Sequence, residues 1–198
     1  MSAAVALAAC GSDAATSSSP SPFTTPAPFT APSVGSSVIE QAAGDNSCPT
    51  AAPANAGAPE WTISGTSGSV AVTGSTDSAA PVVKVTAPFG VTATEVHTLV
   101  AGDGPIVAPT ATVSVCYMGV NGRDGSVFDS SYQRGEPAEF PLTGVVPGFQ
   151  KAIAGQKVGS TVAVAMASAD GYPDGQPSAG IQKGDSLIFA IKILAVTG

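Results

Sequence analysis

An α+β domain made mostly of antiparallel strands around one short helix is the fold class this chain predicts, and three observations carry it. First, 23 glycines and 17 prolines, with only 11% of residues charged, favour strands, turns and linkers over long helices. Second, Val113, Val115 and Tyr117 alternate with Thr112, Ser114 and Cys116, the period-two pattern of a half-buried antiparallel strand. Third, helix signals coincide at one place: Pro147 opens Gly148 to Ala154 and Gly155 closes it. At 198 residues the chain has room for one domain with a core plus appendages, and not comfortably for two.

In chain order, Ala3 to Ala9 is small and apolar, and Leu7-Ala8-Ala9-Cys10 is followed by Gly11. This resembles a bacterial lipobox, whose cysteine is diacylated and becomes the first mature residue. The apolar stretch is brief and no Lys or Arg precedes it, so residues 1–10 are expected to be the remnant of a longer lipoprotein signal peptide. Residues 11–58 are expected to form a disordered tether rich in Ser, Thr, Pro and Ala, because such a composition cannot bury enough surface to offset its ordering entropy. Residues 59–90 read as an N-terminal β extension. Trp61-Thr62-Ile63 and Val70-Ala71-Val72 form a hairpin across a Ser/Gly turn, Val82-Val83-Lys84-Val85 is a further strand, and Pro88-Phe89-Gly90 divides it from the next. Residues 91–198 form the main domain. Strands are expected at Thr94–Val100, Ala111–Tyr117, Thr161–Ala165 and Ser186–Val196, with turns at Gly102–Pro105 and Gly119–Gly125.

Charge and composition exclude several functions. A net charge of -7 and a pI near 4.3 speak against nucleic acid and against an anionic membrane surface, both of which need clustered Lys and Arg. No apolar run of about 20 residues is present, so any membrane attachment would run through a lipid on Cys10. His97 is the only histidine, read as a solvated strand residue, which removes most metal and acid–base catalysis; no cofactor or metal is expected. Asp170 and Asp174 flank a Gly-Tyr-Pro turn too sparsely for a calcium loop. With Cys10 set aside for lipid, Cys48 and Cys116 are left as a pair that an exported protein would oxidise, pinning the extension to the sheet face opposite Tyr117.

The richest stretch is Gly125-Ser126-Val127-Phe128-Asp129-Ser130-Ser131-Tyr132. Arg134-Gly135, Val145-Val146-Pro147-Gly148-Phe149, Gly155-Gln156-Lys157-Val158-Gly159-Ser160, Asp170-Gly171-Tyr172 and Leu187-Ile188-Phe189 follow it in order. Together these resemble the motifs of FKBP-type peptidyl-prolyl cis-trans isomerases. The resemblance implies a half-open antiparallel β-barrel sheet wrapped around one helix and a pocket for a Pro ring made by Tyr117, Phe128, Asp129, Val145, Val146, Phe149, Tyr172, Ile181 and Phe189. Phe149 would be its floor, and Tyr117, Phe128 and Phe189 its walls. The Val146 N–H and Tyr172 hydroxyl would hold substrate carbonyls, Asp129 would sit near the rotating amide, and Arg134 would orient Asp129. Five of these nine positions are aromatic in a chain that is 6% aromatic, which fits an apolar pocket better than chance packing. Tyr132 and Phe140 read as structural.

Prolyl isomerisation suits this residue set because it needs no nucleophile. The barrier, roughly 18 to 20 kcal/mol, is rotation about a partially double C–N bond. A rate gain of about 10⁵ requires removing only about 7 kcal/mol, and an apolar pocket that grips the twisted amide acts in that direction. Two departures bear on rate: Phe149 stands where the family typically has Trp, and Ala138 where many members have an aromatic. The expected partners are proline-containing segments of folding extracytoplasmic proteins, with a macrolide inhibitor as a candidate ligand and a monomer as the expected state. The expected location is the cell envelope, on the outer face of the cytoplasmic membrane. A low-turnover chaperone or peptide-binding module using the same groove, and a scaffold lipoprotein with a vestigial groove, stay open on sequence alone.

Overall fold

A computed structural model describes residues 47–55 and 57–198. Its strands form two antiparallel sheets. The smaller has the order β1-β2-β3, from β1 (Trp61–Ser64), β2 (Ser67–Thr73) and β3 (Val82–Gly90). In the larger, β4 (Glu95–Val100), β8 (Thr161–Met166), β9 (Leu187–Val196), β5 (Thr112–Asn121) and β6 (Val127–Ser130) run in the order β4-β8-β9-β5-β6. β7 (Ala138–Pro141) pairs with the first half of β5 while β6 pairs with its second half. Between them the chain makes a single helical turn, α1 (Ser131–Arg134). The longer helix, α2 (Pro147–Ile153), has Pro at its first position, where the missing N–H costs nothing.

Alternation in β8 and β9 sorts the side chains onto two faces. Val162, Val164, Met166, Leu187, Phe189, Ile191 and Ile193 point to the concave side and share a core with Phe149, Ala152 and Ile153 of α2. Ala163, Ala165, Ile188 and Ala190 point to the convex side and pack against Ile63, Val70, Val72 and Phe89 of the small sheet. Each fully buried Val, Ile or Phe there contributes about 1.5–3 kcal/mol of transfer free energy. The small sheet is therefore a lid over the back of the large one.

The α+β class, the hairpin at β1–β2, the long last strand and the helix at 147–153 agree with expectation. Several details differ. The strand at 111–117, expected to be half-buried, is buried on both faces because the extension covers its back. Pro88-Phe89-Gly90 does not end a strand; β3 continues through it, and Phe89 is driven into the convex core. α1, β6 and β7 were not expected, and α2 is therefore not the only helix. His97 is exposed as expected, but its ring stacks flat on Trp61, with centroids 5.6 Å apart.

The tether expected over 11–58 does not reach 58. Cys48 is buried and bonded to Cys116, its N–H donates to the Gly135 carbonyl at 3.2 Å, and the Ala51 carbonyl accepts from the Ala80 N–H at 2.8 Å. The Cys48–Cys116 bond expected from the sequence is thus present, on the face opposite Tyr117. The lipobox expected at 7–11 and most of the span expected to be a tether lie outside the described residues.

Candidate active site

The cavity on the concave side is built from strand ends and one helix. β5 supplies Tyr117, β6 supplies Phe128 and Asp129, β7 supplies Phe140, β9 supplies Phe189, and α2 with the turn before it supplies Val145, Val146 and Phe149. Tyr172 comes from the long loop between β8 and β9. Together with Gly144 these residues line a hollow of about 400 Å³. The rings meet edge to face: Phe149–Phe189 at 5.3 Å between centroids, Phe128–Phe189 at 5.6 Å and Tyr117–Phe149 at 6.0 Å. Such T-shaped pairs are each worth about 0.5–1.5 kcal/mol beyond burial and fix ring orientation.

Gly119 makes the Phe128–Phe189 contact sterically feasible. A Cβ there would lie 2.6 Å from Phe128 and 2.9 Å from Phe189, inside the range real contacts avoid.

Polar groups meet at one wall. The Tyr117 hydroxyl donates to Asp129 Oδ2, Arg134 Nη1 donates to Asp129 Oδ1 at 2.6 Å, and Arg134 Nη2 reaches the Tyr117 oxygen at 3.1 Å. Partial burial alone would raise the Asp129 carboxyl, but the Tyr117 and Arg134 hydrogen bonds and the Arg134 charge outweigh it, holding the group below the usual carboxylate range. Tyr117 moves the other way, pushed up to about 12 by burial and by its bond to the carboxylate. Asp129 is therefore ionised and Tyr117 neutral across the physiological range.

Two donors remain free for a ligand. The Val146 N–H and the Tyr172 hydroxyl make no hydrogen bond to another group among the described residues, and both residues line the cavity. Val146 is the N-cap of α2, and its carbonyl is already used by the Phe149 and Gln150 N–H groups.

Every expected site residue but one therefore lines the hollow. Ile181 is the exception: it is 1% exposed, belongs to the core behind the cavity and anchors the long loop through a bridge to Gln176. Phe140, read as structural from sequence, stands in the wall, 5.7 Å from both Tyr117 and Phe149. It is two residues from Ala138 on the same face of β7, and it supplies an aromatic edge on the side where Ala138 is small.

The Ser130-Ser131 pair also has an assignable task. Ser130 caps α1 through the Gln133 N–H, and buried Ser131 accepts the Tyr117 N–H at 2.8 Å, tying the signature turn to the strand that carries the pocket tyrosine.

A family model described as FKBP-type peptidyl-prolyl cis-trans isomerase matches residues 104–194. The chain is 35% identical over 98 residues to a probable FK506-binding protein of Corynebacterium glutamicum, covering 49% of this chain and 81% of that one. The chain belongs to the FKBP-type family. It is also 40% identical over 95 residues to the FKBP-type 22 kDa peptidyl-prolyl cis-trans isomerase of Escherichia coli K12, of which it spans 46%, matching 48% of its own length. The N-terminal domain of FKBP42 from Arabidopsis thaliana superposes with a TM-score of 0.50 at 15% identity, covering 54% of this chain and 88% of that domain, a likeness of fold. The FKBP-type match begins after β4, so the small sheet and the Cys48 segment lie outside it.

Proposed function

We propose that this FKBP-type chain catalyses cis–trans rotation about X-Pro bonds in extracytoplasmic proteins by non-covalent stabilisation of the twisted amide. The observation that carries the proposal is the ring-lined hollow whose lining includes a fixed carboxylate and two donors that bond to no other group among the described residues. The Pro ring sits on Phe149 between Tyr117, Phe140, Phe128 and Phe189. The Val146 N–H and Tyr172 hydroxyl take the carbonyls flanking the ring and hold the peptide while one side of the amide turns. Twisting removes amide resonance, so a water-poor hollow favours the twisted form over the planar one, which is differential binding of the transition state. Asp129, locked by Tyr117 and Arg134, presents a fixed negative charge beside the rotating bond.

The clients are proline-containing segments of proteins folding in the cell envelope. Two features support this location: the Leu7-Ala8-Ala9-Cys10-Gly11 sequence, which would carry a lipid on Cys10, and the Cys48–Cys116 bond, which an oxidising compartment sustains. The active unit is a monomer, since the hollow is complete within one chain, and a macrolide that mimics the Pro ring would compete for it.

Isomerisation of short X-Pro peptides by the wild type, Phe189→Ala and Asp129→Val tests the reading. Both variants are expected to lose at least about tenfold in kcat/KM, or 1.4 kcal/mol. A wild type that only matches the spontaneous rate would leave the peptide-binding module as the function of the groove.

A further inference from the structure

Among the described residues the Tyr172 hydroxyl makes no hydrogen bond, so its place over the cavity follows from what holds the loop from Ala167 to Asp185. The far end of that loop is fixed by a carboxylate that gathers donors from β5, from the turn after it and from the loop itself. Asp185 Oδ2 accepts from Asn121 Nδ2 at 2.8 Å, from the Gln182 N–H at 2.8 Å and from Arg123 Nε at 3.3 Å. The near end, which carries Tyr172, is held by local turns, with Ser168 Oγ donating to the Tyr172 carbonyl at 3.4 Å, and is tied to the rest of the domain by two further bonds. The Ala167 N–H donates to Thr94 Oγ1 at 3.1 Å, and Lys151 Nζ donates to Asp170 Oδ2 at 2.8 Å.

Lys151 lies on α2, two residues after Phe149, and Asp170 lies two residues before Tyr172. Phe149 turns inward as the floor of the cavity while Lys151 turns outward. The pair therefore ties the element bearing the floor to the segment bearing the roof, around the outside of the hollow. Between Asp170 and Tyr172 stands only Gly171, and the Tyr172 carbonyl is held by the Gly175 N–H at 3.0 Å. The hydrogen bond from Lys151 holds the Asp170 carboxyl below its ordinary range, so the latch is ionised at neutral pH.

We propose that the Lys151–Asp170 ion pair is a latch that positions Tyr172 over the cavity and makes peptide binding sensitive to salt. Both residues are positioning groups, acting through Tyr172 rather than on the substrate. This rests on the isomerase reading for its kinetic consequence but not for its binding consequence. A group that holds the substrate carbonyl equally in the planar and twisted states affects KM and leaves kcat nearly unchanged. Side chains 55% and 25% exposed make the pair open to screening.

The test compares wild type, Lys151→Met, Asp170→Asn and the exchanged pair Lys151→Asp with Asp170→Lys. It uses a blocked tetrapeptide with a Leu-Pro bond and measures KM and kcat by isomerisation and Kd by calorimetry, at low salt and at about 1 M salt. Each single variant is expected to raise KM and Kd about two- to five-fold at low salt with little change in kcat, the range open to a partly exposed ion pair. High salt erases the difference from wild type, and the exchanged pair restores tight binding. Unchanged KM and Kd in both single variants overturn the latch. So does a weakening that follows a fall in Tm and is not restored by the exchange. If the wild type binds the peptide without turning it over, the isomerase reading fails while the Kd measurements still decide the latch.

Discussion

On its concave face the six-stranded sheet presents Tyr117 and Phe189 to a hollow of about 400 Å³, whereas on its convex face Cys116, Ile188 and Ala190, their neighbours in the same strands, lie sealed under β1–β3 and the Cys48 segment. The contrast lies in side-chain size. Large rings touching by their edges leave a gap that a Pro ring can enter, while Ala163, Ala165 and Ala190 let a second sheet settle close against the back. Both faces carry a buried core, and only the concave one opens at its edge into a hollow. Alternate positions of the same strands thus serve a core with a pocket on one side and a core without one on the other.

The largest expected effect breaks the closed face alone. Replacing both cysteines (Cys48→Ser with Cys116→Ala) frees a loop with a sequence separation of 68. In the chain-entropy picture this costs about 4 kcal/mol. Urea unfolding should show the loss while the remaining folded protein keeps its peptide affinity; a loss of affinity without a loss of stability would show that the two faces are not separable. Next comes Ala163→Phe, which overfills the contact between the sheets and should cost about 1–3 kcal/mol. A shift in the unfolding midpoint below about 0.5 kcal/mol, the ordinary scatter of surface substitutions, would mean the small sheet is only loosely seated.

On the open face, Phe140→Leu keeps bulk and removes two edge-to-face contacts. A fall of about 0.5–1.5 kcal/mol in transition-state binding, two- to ten-fold in kcat/KM, is expected. An unchanged kcat/KM would return Phe140 to a purely structural role.

The smallest effect is in pH. Asp129 titrates lower when folded than when unfolded, so its contribution is complete above the unfolded value of about 3.9 and fades as pH falls through the lower folded one. Tyr117 and Tyr132, both raised to about 12, contribute fully below about 10 and lose that contribution as pH rises towards 12. Turnover and melting temperature should therefore be flat from about pH 5 to pH 9. A midpoint near neutrality in kcat/KM would require a titrating group in the hollow that this arrangement does not contain.

How much was legible in the sequence follows the same division. The open face was readable because its residues have distinctive chemistry in a fixed order: Phe128-Asp129, Phe149, Tyr172 and Phe189 all line the hollow. Phe140 was misread because its strand is a four-residue Ala-Glu-Phe-Pro segment, too short to show a period. Ile181 was misplaced because an apolar residue in a loop gives no sign of whether it faces a ligand or the core. The closed face was harder. Ala163 and Ala165 are small and only weakly hydrophobic, and nothing local says that a sheet more than 70 residues earlier in the chain will cover them. β3 was cut short because Pro88-Phe89-Gly90 carries turn chemistry, yet burial of Phe89 outweighs that preference.

Gly119 carries a consequence for anyone who would redesign the specificity of this groove. It touches no substrate in the proposed mechanism, so a designer choosing positions by distance to the ligand would leave it free to vary. Every other residue there pushes a Cβ into Phe128 and Phe189 at once, so the position behaves as a fixed spacer between two tools. Libraries that widen or narrow the groove therefore have to move those two rings together, with Gly119 held constant, or accept that each new shape begins by prying the wall apart.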